Sequence, residues 1–264
     1  MIHLKTSEEI ALMRVAGRTV GRILRDLADI IAPGMSTLEI DMFVEEAILR
    51  DGMIPTFKGY EGFPANACVS VNNEIVHGIP DKARILEDGD IVSVDIGATY
   101  SGWVGDAART YPVGEISPEA RCLIDVCRRS FFDCLAFCRE GFRLSDIGAA
   151  VQETTEAAGF SVVRDYVGHG IGRNMHEDPK VRNYGPPGKG PKLTRGMALA
   201  IEPMINAGGY EAEVLLNNWT VVTKDGSLSA HYENTIVITD GDPAILTLDE
   251  REERGLRHVE KGCY

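Results

Sequence analysis

The chain has 264 residues, 44% hydrophobic and 25% charged, the composition of an ordinary globular protein and enough length for one large domain or two small ones. Its formal net charge of −13 argues against a general nucleic-acid binder, and no apolar run approaches the ~18 residues needed to span a bilayer. The start MIHLKTSEEI lacks the apolar stretch of a signal peptide, so a cytoplasmic protein with reduced thiols is expected.

Thr6 with Glu9 three residues on is a capping-box signature, and Ile10, Met13, Gly17, Val20, Leu24, Leu27 and Ile31 then recur in steps of three and four. This predicts a long amphipathic helix, stopped by Pro33-Gly34. Thr37 is the expected cap of a second helix, whose apolar face carries Ile40, Phe43, Val44, Ala47 and Ile48 and which ends at Gly52. Strand-like segments follow at residues 67–71 and 74–77, and the run DIVSVDIGATYSGWVGDAART, residues 90–110, reads as two strands punctuated by Gly97, Gly102 and Gly105. Ser117-Pro118 then opens a helix with Ala120, Leu123, Cys127, Phe131, Cys134, Leu135 and Cys138 on its apolar face, ended by Gly141. Ser145 is the expected cap of a shorter helix bearing Ile147, Val151, Thr154 and Ala158, closed by Gly159, before strands from residues 162–166 onward.

Two helices followed by strands thus occur twice, about 110 residues apart. The expected architecture is a single pseudo-duplicated α+β domain over residues 1–264, with halves at about 6–112 and 113–240, a site between them and a peripheral charged tail at 241–264. Four of the six cysteines, Cys122, Cys127, Cys134 and Cys138, fall in one predicted helix without a CxxC pair, which points to core packing and no disulfides.

The chemistry begins with expensive acids. Asp95 sits among Ile91, Val92, Val94 and Ile96, the pattern of a strand covered on both faces, so it should be buried. A buried carboxylate needs a cation, several donors or a metal, and from this stretch alone a turn Asp receiving backbone N–H bonds reads as well as a ligand. Asp106 follows in the second strand; MALAIEP puts Glu202 at the end of an apolar strand and HYENTIVIT puts Glu233 at the head of another. GHGIGRNMHEDP carries His169 and His176 in a glycine-rich turn where backbone can approach a ligand. Four carboxylates and one imidazole, with no thiolate, suit hard or borderline divalent ions, and two ions sharing carboxylates balance the charge better than one.

Taken together, VHGIP at 76–80, SVDIGATYSGWVGDAART at 93–110, GHGIGRNMHEDP, AIEPM and SAHYENTIVIT resemble bacterial type I methionine aminopeptidases, over about residues 6–240. The resemblance implies the pita-bread fold, an antiparallel sheet flanked by helices. It implies that Asp95, Asp106, His169, Glu202 and Glu233 bind two divalent metals (Co, Mn, Fe, Zn or Ni), Asp106 and Glu233 bridging, His169 and Glu202 completing one site and Asp95 the other. A monovalent cation held by backbone oxygens belongs to the same pattern. By the same carry-over Glu202, His77 and His176 are catalytic: Glu202 relays the proton of the attacking water, and the two histidines contact the scissile amide and the developing tetrahedral centre. Phe57, Tyr60, Phe63, Cys68, His77, Met175, His176 and Trp219 match the substrate pocket, where aromatic edges and a thiol suit a thioether. The implied substrates are nascent polypeptide N-termini whose second residue is small.

Three positions depart from the family pattern: Val76 where cysteine is common, Met175 where an aromatic is common, and His231 where glutamine is frequent. Strand alternation puts His231 on the side of Glu233, where it reads as a hydrogen-bond partner of a ligand carboxylate, as a group that alters the pH profile, or as a further metal ligand. Residues 180–195 carry Lys180, Arg182, Lys189, Lys192 and Arg195 and no acid, which reads either as a solvated basic loop or as a transient ribosome contact. A monomer is expected. The rival readings are an X-Pro peptidase or creatinase-like hydrolase of the same fold, and a metal-free, ribosome-associated binding module.

Overall fold

The computed structural model describes residues 1–248; the end of the charged tail lies outside the described residues. Helix α1, Ser7–Ile30, begins as its sequence predicts: the Glu9 N–H donates to Thr6 Oγ1 and the Thr6 N–H donates to the Glu9 carboxylate. Met13, Val20, Leu24 and Leu27 are all buried, and Gly34 at φ +93° turns the chain back. Helix α2, Thr37–Arg50, is capped by Ser36 and not by Thr37. The reason is the acid three residues on: Ser36 has Glu39 to complete a reciprocal box, whereas Thr37 would face Ile40. The Thr37 hydroxyl instead accepts the Asp81 N–H at 2.9 Å and donates to the Asp81 carbonyl at 3.1 Å.

Strands β1 Ile54–Pro55, β2 Ala67–Val71, β4 Ile91–Tyr100 and β5 Trp103–Pro112 make one antiparallel sheet, with β4 paired to the other three; β3 Glu74–Val76 belongs to a second sheet. Val92, Val94, Ile96 and Ala98 on one face of β4 pack beneath α1 and α2. The opposite face is not covered as the apolar run suggested. It carries Ser93, Asp95 and Gly97, of which Asp95 lines a cleft and is half-buried.

Helix α3, Pro118–Cys134, has Ser117 as its cap and proline at its first position, but the α-helix ends at Cys134 and a 3₁₀ turn, Leu135–Phe137, precedes Cys138. Cys127, Cys134 and Cys138 are nevertheless buried in one core with Leu123 and Phe131, and the five described cysteines are free thiols. Helix α4, Leu144–Ala157, starts after Arg143, whose N–H donates to Asp146; Ser145, expected as the cap, accepts the Lys189 N–H instead.

The rest is short antiparallel strands: β6 Ser161–Val162, β7 Gly168–Gly170, β8 Glu177–Val181, β9 Ala198–Ile201, β10 Met204–Asn206, β11 Ala212–Val214, β12 Val221–Thr223, β13 Ser229–His231, β14 Asn234–Val237 and β15 Ala244–Ile245. They form a five-stranded sheet ordered β15-β14-β9-β7-β8, and three-stranded sheets β13-β10-β6 and β11-β12-β3. A second core joins α3 and α4 to Leu199, Ile201 and Ile236. The strand expected over 162–166 stops at Val162, and residues 163–167 run irregularly to the cleft. Where the two sets of sheets meet, residues 231–235 are stapled to β5. The Glu233 N–H donates to the Ala108 carbonyl at 3.0 Å, Arg109 donates to the Glu233 carbonyl at 2.6 Å and to Asn234 Oδ1 at 2.8 Å, and Thr235 Oγ1 donates to the Asp106 carbonyl at 2.8 Å. Among the described residues no helix is long and apolar enough to cross a membrane.

Candidate metal centre and substrate cleft

Strand pairing assembles the acids. In the β4–β5 ladder Asp95 lies opposite Ala108 and Asp106 opposite Gly97, which puts both carboxylates on one face, diagonally related; Gly97 leaves room for the Phe57 ring, which a Cβ there would meet at 2.7 Å. His169 comes from β7, opposite Ala200 of β9, and Glu202 follows the end of β9. Glu233 sits between β13 and β14. The five residues named from the sequence thus converge. Single donor atoms of Asp106, His169 and Glu233 lie within 4.8 Å of one another, and His169 Nε2 is 3.8 Å from Asp106 Oδ2 and 3.4 Å from Glu202 Oε1.

His169 is a strand residue, not part of a turn. Its glycines serve packing: a Cβ on Gly168 would lie 2.4 Å from the Ala200 carbonyl oxygen, and one on Gly170 would lie 2.0 Å from that of Asp178. They let neighbouring strands close in, where the sequence suggested an approach to ligand. Nδ1 of His169 is 2.9 Å from the Gly170 carbonyl, an arrangement that holds the Nδ1–H tautomer and leaves the Nε2 lone pair facing the acids.

The residues fit divalent cations. Asp95 Oδ1, Asp106 Oδ1 and Glu233 Oε1 are buried without a hydrogen-bond partner. Burial, then mutual repulsion, drives the carboxyls of Asp95, Glu202 and Glu233 far above the usual range, while burial raises Asp106 to about 7. Arg109 opposes this at Glu233. Oxygen donors crowded together and left unpaired are what a cation satisfies. Burial, with the neighbouring His176, pushes His169 down to about 4, which keeps it neutral as a ligand must be.

Above this floor lies a cavity of about 620 Å³ whose walls include all the sequence-named pocket residues. Phe57, Phe63, Cys68 and Met175 are buried together, with Tyr60 and Trp219 packed against them. Cys68 pairs directly with Asp95 in the β2–β4 ladder, so the apolar slot adjoins the acids; burial and those acids raise its thiol pKa and keep it uncharged. The Phe63 and Trp219 rings meet edge-on at 5.1 Å. On the other wall Tyr60 Oη is 3.0 Å from His176 Nδ1, and the His176 and His169 rings lie 4.4 Å apart.

His77 follows β3 at φ +59°, a left-handed conformation uncommon outside glycine, and burial lowers it to about 4. Its ring meets Tyr166 edge-on at 5.7 Å. Tyr166, Asp165 and Met204 also line the cleft, and Arg109 braces Glu233 from behind. None of these was singled out from the sequence. Arg109 stood in the quoted run without a role, and the irregular segment holding Asp165 and Tyr166 has no periodicity to betray it. His231 faces the cleft floor: its Nε2 is buried, without a hydrogen-bond partner, and 3.8 Å from Glu233 Oε2.

The basic segment is not one loop. Lys180 belongs to β8 and reaches the cleft wall, Arg195 is paired with Asp240 at 2.6 Å, and Lys189 and Lys192 stand exposed in the loop between.

The model of metallopeptidase family M24 matches residues 11–240. The methionine aminopeptidase of Clostridium acetobutylicum is 54% identical over 250 residues, covering 95% of this chain and 100% of that relative. Among solved structures, methionine aminopeptidase from Thermotoga maritima superposes with a TM-score of 0.93 at 46% identity, covering 94% of this chain and 100% of that one. Prolidase from Pyrococcus furiosus superposes with a TM-score of 0.76 at 21% identity, covering 94% of this chain and 66% of that one, a likeness of fold.

Proposed function

The chain belongs to metallopeptidase family M24, and we propose that Asp95, Asp106, His169, Glu202 and Glu233 are the ligands of its divalent metals. The fold is the pita-bread fold of that family, and the protein is a metal-dependent exopeptidase that removes the N-terminal methionine from polypeptides. In the finer reading there are two ions, drawn from Co, Mn, Fe, Zn or Ni. Asp106 and Glu233 would be shared between them, His169 and Glu202 would complete one site and Asp95 the other, and backbone oxygens nearby would hold a monovalent cation. What carries the reading is a cluster of buried, unpaired carboxylate oxygens at the foot of an apolar slot. When bound, such ions acidify water and polarise a carbonyl.

The chain's own residues do the rest. Phe57, Tyr60, Phe63, Cys68, Met175 and Trp219 enclose the methionine side chain, an apolar and sulfur-tolerant surface that excludes water. The substrate's α-amine lies toward Asp95, so only a chain end fits and internal bonds are spared. Glu202 accepts the proton of the attacking water and delivers it to the leaving amine, and its burial beside Asp106 raises its affinity for that proton. His77 and His176 contact the scissile amide and the tetrahedral centre, Tyr60 orienting His176 through Nδ1. The second residue is small. Substrates are nascent N-termini met in the cytoplasm by a monomer, one catalytic domain with halves at about 6–112 and 113–240, with Lys189 and Lys192 supplying a transient ribosome contact; the tail expected to be peripheral from 241 is instead part of the core over residues 244–248, where β15 pairs with β14 and Leu246 and Leu248 are buried.

The test is release of free methionine from Met-Ala-Ser and Met-Leu-Ser by metal-stripped protein before and after adding Mn, Co or Fe. Metal-dependent cleavage of the first and little of the second is expected. No release from either with metal bound would move the reading to the X-Pro or creatinase-like relatives, and no metal bound at all would move it to the binding module.

A further inference from the structure

We infer that His231 is a positioning residue of the metal centre, its Nε2–H serving as the hydrogen-bond donor that orients the Glu233 carboxylate. The inference rests on the metal reading above. Both side chains are only 2% exposed, and Nε2 lies 3.8 Å from Glu233 Oε2, under ~1 Å beyond hydrogen-bond reach. A buried imidazole nitrogen without a partner is costly; an N–H donated to Glu233 Oε2 meets its demand and leaves the unpaired Oε1 free to face a cation.

The backbone under this pair is fixed on both sides. Thr110 Oγ1 accepts the His231 N–H and donates to the His231 carbonyl, each at 2.9 Å, and is itself bonded to Ser93 Oγ at 2.8 Å. Glu233 is held to β5 by the Ala108 carbonyl and by Arg109. Residues 231 and 233, two apart in extended chain, therefore project together beside Asp106, on the same strand as Thr110. A rigid neighbour that donates one proton to a ligand carboxylate limits its rotation and lowers the cost of organising it around a cation. His231 holds its neighbour in place and touches no reacting atom.

The experiment compares metal-stripped wild type, His231→Gln and His231→Leu by calorimetric titration with Mn²⁺ and by the visible absorption of the Co²⁺ forms. Thermal unfolding of the stripped proteins checks the fold, and His231→Ala gives the same comparison if the leucine variant does not fold. Glutamine keeps an N–H donor at this position. The expected result is a ~10- to 100-fold loss of Mn²⁺ affinity with an altered Co²⁺ spectrum in His231→Leu, and affinity close to wild type in His231→Gln. Unchanged affinity and spectrum in His231→Leu would overturn the inference. Equal loss in both variants would also overturn it, since the imidazole would then be a metal ligand in its own right. Wild type that binds no metal overturns the underlying reading and this role with it, an outcome separable from the others by the wild-type titration alone.

Discussion

Replacing Asp106 with asparagine should abolish hydrolysis at saturating metal and, at slightly alkaline pH, make the metal-stripped protein more stable. Burial raises the Asp106 carboxyl from 3.8 to about 7. Between those values the folded state keeps a proton that the unfolded state has released, so its contribution is fully favourable below the unfolded pKa and is lost as pH rises through the folded one. Three units at ~1.4 kcal/mol each put the cost of ionising it in the fold at about 4 kcal/mol by about pH 8. Asparagine has the same shape and does not titrate. Its buried amide lacks full partners, a penalty of ~1–3 kcal/mol that does not vary with pH. The variant should therefore exceed wild type by ~1–3 kcal/mol near pH 8, and the difference between the two should move against it by about 3 kcal/mol on going to pH 5. Urea unfolding followed by tryptophan fluorescence measures this. Mn²⁺ at ~1,000 times its dissociation constant should then add about 4 kcal/mol to wild type and little to the variant, reversing the order. A stability difference that stays the same at both pH values would refute the argument, because it would mean that Asp106 ionises in the fold as easily as in the unfolded chain.

Three further outcomes are expected. Glu202→Gln should lower kcat ~10²- to 10⁴-fold at saturating metal, and undiminished kcat would remove Glu202 from the proton relay. Gly170→Ala drives a methyl to within 2.0 Å of the Asp178 carbonyl oxygen, so thermal unfolding should report a loss of ~1–3 kcal/mol; a neutral result would mean that β7 and β8 separate freely. Reversing Lys189 and Lys192 to glutamate should weaken a salt-sensitive association with ribosomes in a sedimentation assay while leaving tripeptide hydrolysis intact, and unchanged sedimentation would leave the two lysines as solvated charge.

Local rules were legible where the competing choices are local. The α1 capping box and its apolar stripe need only neighbours three and four residues away, and both appear as their spacing requires. The caps of α2 and α4 show the limit: Thr37 and Ser145 are suitable cap residues, but each finds a distant partner, at Asp81 and Lys189, that no local pattern reveals. From sequence the glycines around His169 are expected to admit a ligand, and only the fold says that what approaches them is the carbonyls of Ala200 and Asp178.

The sequence by itself determined the donor chemistry of this protein. Acids in apolar strands are expensive enough that Asp95, Asp106, Glu202 and Glu233 stand out without coordinates, and the motifs around them order the set. Tertiary structure decided what those residues could do together. Antiparallel pairing turned an apolar run expected to be covered twice into a strand with one face on α1 and α2 and the other, bearing Asp95, on a cleft. It joined Cys68 to Asp95, Tyr60 to His176 and Arg109 to Glu233 across gaps in sequence that carry no periodic signal. A strand's alternation tells which way a side chain points, but what stands opposite it depends on which strands pair and in what register, a choice settled by burial over the whole chain.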